Sequence, residues 1–375
     1  MPAAKMNKTK SKPVKKRKTK LVASGVSKVK KSARAQSKRK DVVTDNLVSL
    51  QSFIIEEEQR YPSATGELSW IISAISLAAK IIAFKVRHVR LQGVIGQEGS
   101  TNVQGEAQIR MDVISNEVIM RVLGSRPSIA VLGSEEDQEP TILRKGSEGG
   151  KYCVLFDPLD GSSNLDTAVG VGTIFTVLKN DPNIPGAMET VCQRGAEQIA
   201  AGYVLYGSST VFMLTTGHGT HMFELDTSVG SFLLVKRDLQ IPAANKVYSV
   251  NEANLEGFPK GYRDYVAWTH RNNYSSRYIG SMVADVHRTL VNGGVFLYPP
   301  TKKHPSGKLR LLYEANPMSF LIEQAGGKST TGSQRTMNVV PKQLHQRTPL
   351  VMGSPDEVDH VMRIAHGVKR SSLKR

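Results

Sequence analysis

Phe156-Asp157-Pro158-Leu159-Asp160-Gly161-Ser162-Ser163-Asn164 is the stretch from which the rest of the chain can be read. The apolar run Tyr152–Phe156 reads as a strand that delivers Asp157 at its end. Pro158 has no N–H to donate and is expected to stop the ladder there. Asp160 follows in the turn, so both carboxylates can face one site. Gly161, Ser162 and Ser163 then offer successive backbone N–H groups and hydroxyls, the pieces of an anion cradle. Hard oxygen ligands beside such a nest suit magnesium, which binds through a few carboxylates together with a phosphate. Taken alone, the same residues also describe an Asx-turn closing a strand.

Acids elsewhere favour the cation reading. Ser134-Glu135-Glu136-Asp137 follows the apolar run Ile129-Ala130-Val131-Leu132, again at a strand end. Asp112 sits in a helical stretch as Met111-Asp112-Val113, surroundings in which an unpartnered carboxylate is costly. Glu314, in Leu311-Leu312-Tyr313-Glu314-Ala315, is likewise an acid in an apolar run. Singly, each reads as a surface or capping acid. Four such places in a region whose charges nearly cancel point to convergence on cations.

That near-cancellation is hidden by the totals. The 375 residues carry a formal charge of +17, but residues 1–40 hold 16 of the 50 Lys and Arg and no acid. The remaining 34 basic residues face 33 acidic ones, so Asp41–Arg375 carries about +1. With 39% hydrophobic and 22% charged residues, wholesale disorder and a fibrous repeat are excluded. The apolar stretch Trp70–Phe84 is interrupted by Lys80 and falls short of the ~20 residues of a membrane span, so no membrane partner is expected. Two cysteines, Cys153 and Cys192, make no disulfide framework and fit a reducing compartment.

Residues 1–40 read as a disordered polybasic tail without the apolar region of a secretory signal. Its clusters Lys15-Lys16-Arg17-Lys18 and Lys38-Arg39-Lys40 suit a polyanion or an import receptor, or a solvated arm with no partner. A cytoplasmic protein, also nuclear through the tail, is the expectation. Beyond the tail, Leu47, Leu50, Ile54 and Ile55 predict an amphipathic helix from near Val43 to about Tyr61, broken by Pro62-Ser63-Ala64. A more apolar helix follows through Ile71, Ile75, Ala78 and Ile82, and a third over Gln108–Leu123. From Tyr152 onward short β-branched or aromatic runs dominate, and the last third alternates strand and helix. Ser354-Pro355-Asp356-Glu357 reads as the capped start of a final helix. No repeat and no regular βαβ period is found. The fold class is α/β, in two layered sub-domains, 41–239 and 240–375.

The chain also resembles the fructose-1,6-bisphosphatase family, from about Asn46 to Ile364. The matching runs include Ala64-Thr65-Gly66-Glu67-Leu68, Gly99-Ser100-Thr101-Asn102-Val103, Ser134–Asp137, Phe156–Asp166, Arg277–Gly294, Lys308–Met318 and Gly353-Ser354-Pro355. The resemblance implies the layered α-β-α-β-α sugar-phosphatase fold and hydrolysis of the 1-phosphate of fructose 1,6-bisphosphate in gluconeogenesis. It implies two to three Mg²⁺ (or Mn²⁺) ions on Glu135, Asp157, the Leu159 carbonyl, Asp160 and Glu314. Asp112 and Glu136 match the pair that activates water, and Gly161, Ser162 and Ser163 match the 1-phosphate cradle. Asn251, Tyr278 and Tyr298 match ligands of the 6-phosphate, while Gly280, Ser281, Met282 and Lys308 match contacts to the sugar end. Arg277 matches an arginine contributed across a subunit interface, which goes with a homotetramer. Thr65, Gly66, Glu67, Leu68, Ser69, Lys151, Tyr152 and Lys179 match the AMP regulatory site.

Some positions depart from the family pattern. Asn254 stands where a tyrosine is usual, Lys179 replaces an arginine with loss of the planar fork, and Ser69 and Thr216 replace threonine and methionine. AMP inhibition is therefore expected in weakened form. The Cys-bearing insertion of the light-regulated chloroplast enzymes is missing between Lys179 and Ala200. The alternatives are sedoheptulose 1,7-bisphosphate as substrate, which Asn254 favours slightly, and a nucleic-acid-associated or scaffold protein acting through the tail.

Overall fold

The protein is seen in a computed structural model that describes residues 47–367, apart from 60–64, 95–96, 102–106, 145–148 and 185. The basic tail, Val43, Tyr61 and Pro62-Ser63-Ala64 lie outside the described residues. Two helices come first, α1 (Leu50–Glu58) and α2 (Glu67–His88). A hairpin of β1 (Gln97–Thr101) and β2 (Ala107–Ile109) leads to α3 (Arg110–Gly124). Then come β3 (Ile129–Ser134), β4 (Thr141–Ile142), β5 (Tyr152–Asp160), β6 (Val171–Lys179) and the short α4 (Ala187–Val191). Four strands follow: β7 (Ala200–Tyr206), β8 (Thr210–Thr215), β9 (His221–Asp226) and β10 (Ser231–Lys236). The last third holds β11 (Val247–Ser249), α5 (Lys260–Arg271), β12 (Ser275–Ser276), α6 (Met282–Asn292), β13 (Val295–Tyr298) and β14 (Leu309–Arg310). It closes with α7 (Asn316–Gln324), β15 (Lys328–Thr330), β16 (Arg347–Thr348), β17 (Leu350–Gly353) and α8 (Pro355–Ala365).

Two large sheets organise these elements. The first has eight strands in the order β10-β9-β8-β7-β6-β5-β3-β4, antiparallel throughout except for the parallel pair β3/β5. The second has five, in the order β12-β11-β13-β17-β15. Period-2 alternation stacks them with the helices. In the first sheet Phe175, Val177, Val204, Phe212 and Leu214 pack with Phe53, Ile72, Ile75 and Ile82 of α1 and α2. Their alternates Ile174, Tyr203, Val211 and Met213 face the other way, onto Val283, Val286 and Leu290 of α6 and Leu321 and Ile322 of α7. Those helices meet Phe296, Leu350 and Met352 of the second sheet. The alternates of that sheet, Val295, Leu297 and Val351, pack on Tyr265 and Val266 of α5 and Val358 and Val361 of α8. The order of layers is α-β-α-β-α.

Three local readings are corrected. Pro158 does not stop the strand, because β5 runs on to Asp160 through a bulge: Asp157 lies opposite Ile174 and Asp160 opposite Gly172. Pro158 sits where no ladder N–H is needed, and its carbonyl accepts from Thr173 Oγ1 at 2.8 Å. α2 extends past Trp70–Phe84 to 22 residues, long and apolar enough on length and composition alone to cross a membrane, although nine of its residues are buried in the core. Ser354 does precede α8, but its hydroxyl donates to the Pro242 carbonyl at 2.6 Å and accepts from the Gly294 N–H rather than capping the helix.

Candidate active site

The bulge in β5 is what brings the first two acids together. In a regular strand, residues three apart point to opposite faces. The extra residue restores the match: Phe156 and Leu159 pack into the core beneath α1–α3, while Asp157 and Asp160 share the opposite face. The side chain of Asp157 closes the bulge by accepting from the Leu159 N–H at 2.9 Å. Asp160 reaches to the start of α6 and accepts from the Val283 N–H at 2.9 Å, placed favourably at a helix N-terminus. Gly161 then turns at φ 75°, and a β-carbon there would stand 2.9 Å from Ser281 Oγ, so glycine is required twice over.

Glu314 arrives from a different direction. Leu311–Ala315 forms a single π-helical turn ahead of α7, anchored by the buried Leu312 and Tyr313. Within it, Glu314 accepts from the Arg310 N–H. One oxygen each of Asp157, Asp160 and Glu314 lies within 4.8 Å of the others. Glu135 and Glu136, just past β3, and Asp112, in the first turn of α3, line the same cleft of about 410 Å³. The sequence-predicted acids therefore converge.

Their electrostatics show that they do so at a cost. Burial raises Asp157 and Glu135 well above the carboxylate range, and each is pushed further by an acid beside it, Glu135 for Asp157 and Glu314 for Glu135. Asp160 is raised to about 6, chiefly by burial, with the Val283 N–H drawing it back. Asp112 is raised to about 7 by burial, against hydrogen bonds from Ser162 Oγ (3.1 Å) and the Ile109 N–H (3.1 Å), with Glu136 adding repulsion. Such a set holds protons or cations. All-oxygen ligands with one-sided access fit a hard divalent ion.

The cradle and the distal residues are less evenly placed. Gly161, Ser162, Ser163, Tyr278, Gly280, Met282, Tyr298 and Lys308 line the cleft with the acids, as does Leu159. Asn251, Arg277 and Ser281 do not. The Asn251 side chain accepts from the Ala253 N–H at 3.1 Å, and Asn251 draws the Tyr278 hydroxyl down against the rise that burial causes, which places it near that cleft residue. Arg277 is exposed and donates to the Ser276 carbonyl at 2.9 Å. Asn254 is exposed, outside the lining.

Two residues of the site escaped the sequence reading. Asp285 of α6 is fully buried and gathers the Ser249 hydroxyl (2.8 Å), the Ile279 N–H and the Gly280 N–H (3.0 Å), fixing the 278–281 segment against the cleft. Arg310, 3% exposed, brings its guanidinium to 3.9 Å from Glu135. An acid and an arginine inside apolar runs were the available signals, the same one that picked out Asp112.

The residues matched to an AMP site gather at the start of α2 and a neighbouring cleft of about 360 Å³ lined by Lys151, Tyr152 and Lys179. Gly66 begins the helix at φ 77°. Glu67 accepts from Lys151 Nζ at 2.5 Å and from Thr65 Oγ1 at 2.6 Å, and the Lys151 bond is the main reason its carboxyl lies below the ordinary range. Leu68 and Ser69 are half-buried in the first turn.

The family model for the fructose-1,6-bisphosphatase N-terminal domain matches residues 48–237, and that for the C-terminal domain matches 241–366. A class 1 fructose-1,6-bisphosphatase of Chlorobium chlorochromatii is 46% identical over 321 residues, covering 84% of this chain and 96% of that protein. Another, from Persephonella marina, is 48% identical over 316 residues, covering 84% and 97%. Among solved structures, Leishmania major fructose-1,6-bisphosphatase in holo form superposes with a TM-score of 0.82 at 38% identity, over 86% of this chain and 100% of that one.

Proposed function

The chain belongs to the fructose-1,6-bisphosphatase family, and on that premise we propose that it hydrolyses the 1-phosphate of fructose 1,6-bisphosphate, with Mg²⁺, in the direction of gluconeogenesis. The observation that carries this is the convergence of Asp157, Asp160 and Glu314 beside the Gly161–Ser163 cradle. Glu135, Asp157, the Leu159 carbonyl, Asp160 and Glu314 would hold two to three Mg²⁺ or Mn²⁺ ions. Bound there, the metal supplies charge neutralisation for the phosphoryl oxygens and a lowered pKa for the attacking water. Asp112, with its carboxyl near 7 and Glu136 beside it, is poised to take the proton from that water. Ser162 both supports Asp112 and opens the cradle, so the base and the phosphate are held in one register.

The C-terminal residues would read the far end of the substrate: Tyr278, Tyr298 and Asn251 the 6-phosphate, Lys308 and Gly280–Met282 the sugar. Arg277 is exposed and does not line its own cleft, which supports its donation to a neighbouring subunit in a homotetramer. Trp70, Leu77 and Phe84, exposed at seven-residue spacing on α2, also favour an oligomer. AMP regulation at Lys151 and Lys179, a cytoplasmic location and a polyanion or import role for the tail complete the reading.

Release of phosphate and of fructose 6-phosphate, measured with Mg²⁺ on fructose 1,6- and sedoheptulose 1,7-bisphosphate, tests it. A higher kcat/KM for the seven-carbon sugar would replace the substrate, and no turnover of either would remove the reading.

A further inference from the structure

Behind the cleft, three acid-bearing segments are joined by a run of hydrogen bonds that no motif accounts for. Asn116 lies one turn beyond Asp112 on α3, so its side chain points to the same side. Its amide donates to Asp137 Oδ1 at 3.2 Å, and its carbonyl accepts from Ser134 Oγ at 2.8 Å. The Ser134 hydroxyl, fully buried at the end of β3, accepts in turn from the Glu136 N–H at 3.2 Å. On the other side, the Asp137 carbonyl lies 3.0 Å from His345 Nε2, and His345 Nδ1 lies 2.7 Å from the hydroxyl of Tyr313. Tyr313 is fully buried and directly precedes Glu314.

The donors in this run have one assignment. A carbonyl only accepts, so Nε2 carries the proton. Burial, with the Arg310 charge adding to it, pushes the imidazole down and keeps it neutral. Nδ1 then accepts, and Tyr313 donates. The run links the helix of Asp112, the loop of Glu135 and Glu136, and the turn of Glu314. These are the groups that mutual repulsion drives apart.

We infer that His345 and Asn116 are positioning residues for the phosphatase reaction, braces that hold the three acid-bearing segments converged without touching substrate. The inference rests on the proposed roles of Asp112, Glu136 and Glu314. Partners of this kind, one shell behind metal-binding groups, set ligand orientation, and their loss costs about 10–100-fold in metal affinity or activity.

His345→Phe keeps the ring against Tyr313 but removes both hydrogen bonds. His345→Gln keeps an acceptor and a donor at similar separation. Asn116→Ala cuts the other arm at a half-buried position where a fold is readily kept. The Phe and Ala variants should lower kcat about tenfold or more and weaken binding of Mn²⁺ alone, followed by calorimetry, with KM for the bisphosphate within about twofold. The Gln variant should recover most of both. Equal losses in Phe and Gln would make the ring a packing group, and parent-like kcat and Mn²⁺ affinity in Phe or Ala would remove the brace. If the protein turns over neither sugar while Mn²⁺ affinity still follows the Phe-to-Gln pattern, the brace stands and the assigned reaction fails.

Discussion

In the large cleft Asp157 faces Glu135, and Glu135 faces Glu314; beside the small cleft, at the start of α2, Glu67 faces its lining residue Lys151 at 2.5 Å. Both places use a carboxylate, a hydroxyl and a left-handed glycine at the start of a helical turn. In the first, the carboxyls are raised, because burial and like charge favour the proton. In the second, the carboxyl is lowered, because a cation is already there. A group crowded by like charge gains most from a ligand of opposite charge, even with Arg310 3.9 Å from Glu135, whereas one already held by a cation must exchange a partner to accept any. The large cleft is accordingly where a cation contributes most.

Removing a charge from the large cleft should have the largest effect and test the contrast directly. Asp157→Asn or Glu135→Gln should lower turnover by about 10³-fold or more, the loss of several kcal/mol of transition-state stabilisation. Without metal, and at a pH high enough to ionise the raised carboxyl, Asp157→Asn should melt a few degrees higher than the parent, since a repelling buried charge is gone. Near-normal kcat at saturating Mg²⁺ would take these residues out of the site, and a lower metal-free Tm would mean that repulsion is not what governs them.

Acid should stabilise the metal-free protein. Asp112 and Asp160 have folded values of about 7 and 6 against 3.8 when unfolded. The folded form therefore binds more protons between these limits. The two groups are neutral and harmless below about 4, and stability is lost as pH rises from 4 towards 7. Melting in EDTA across pH 4 to 8 should show that decline once acid denaturation elsewhere is subtracted with an Asp112→Asn comparison. Saturating Mg²⁺ should flatten it. A profile identical in Asp112→Asn and parent would overturn the assignment.

Arg277→Ala should raise KM by about tenfold, the worth of one charged hydrogen bond, and lower kcat less. Steady-state kinetics read this, and an unchanged KM would mean that Arg277 meets no substrate in either subunit. Beside the small cleft, Glu67→Gln should leave kcat within about twofold and strengthen AMP inhibition by releasing Lys151, since exposed ion pairs carry little stability of their own. Inhibition titrations that weaken instead would show that the pair builds the site rather than occupying it. The smallest effect belongs to the tail: a chain beginning at Asp41 should keep kcat and oligomeric state while losing salt-sensitive heparin retention. Lost activity would place the tail in the fold.

Much of this site was legible as chemistry before it was visible as geometry. Asp112, Glu135, Asp157, Asp160 and Glu314 stand out because an acid in or beside an apolar run is expensive unless it has a purpose. Arg310 and Asp285 obey the same rule, a charge beside the apolar Leu311-Leu312 and an acid within Met282–Val286. The strand does not end at Pro158 as its missing N–H suggests, because that signal is informative only once the neighbour strand is known. Here the unpaired position falls within the bulge, opposite no donor requirement.

By itself the sequence determined the neutral body and basic tail, the α/β layering through apolar periods of two and about 3.6, and which acids and glycines bear chemistry. These follow from composition and near-neighbour spacing, which act over a few residues. Tertiary structure alone decided that the bulge turns Asp157 and Asp160 to one side. It also decided that a π-helical turn carries Glu314 to meet them, and that Asn116 and His345 tie the segments together. Those outcomes depend on groups far apart in the chain being packed within a few ångströms of one another. No local pattern encodes a distance that only the closed core imposes.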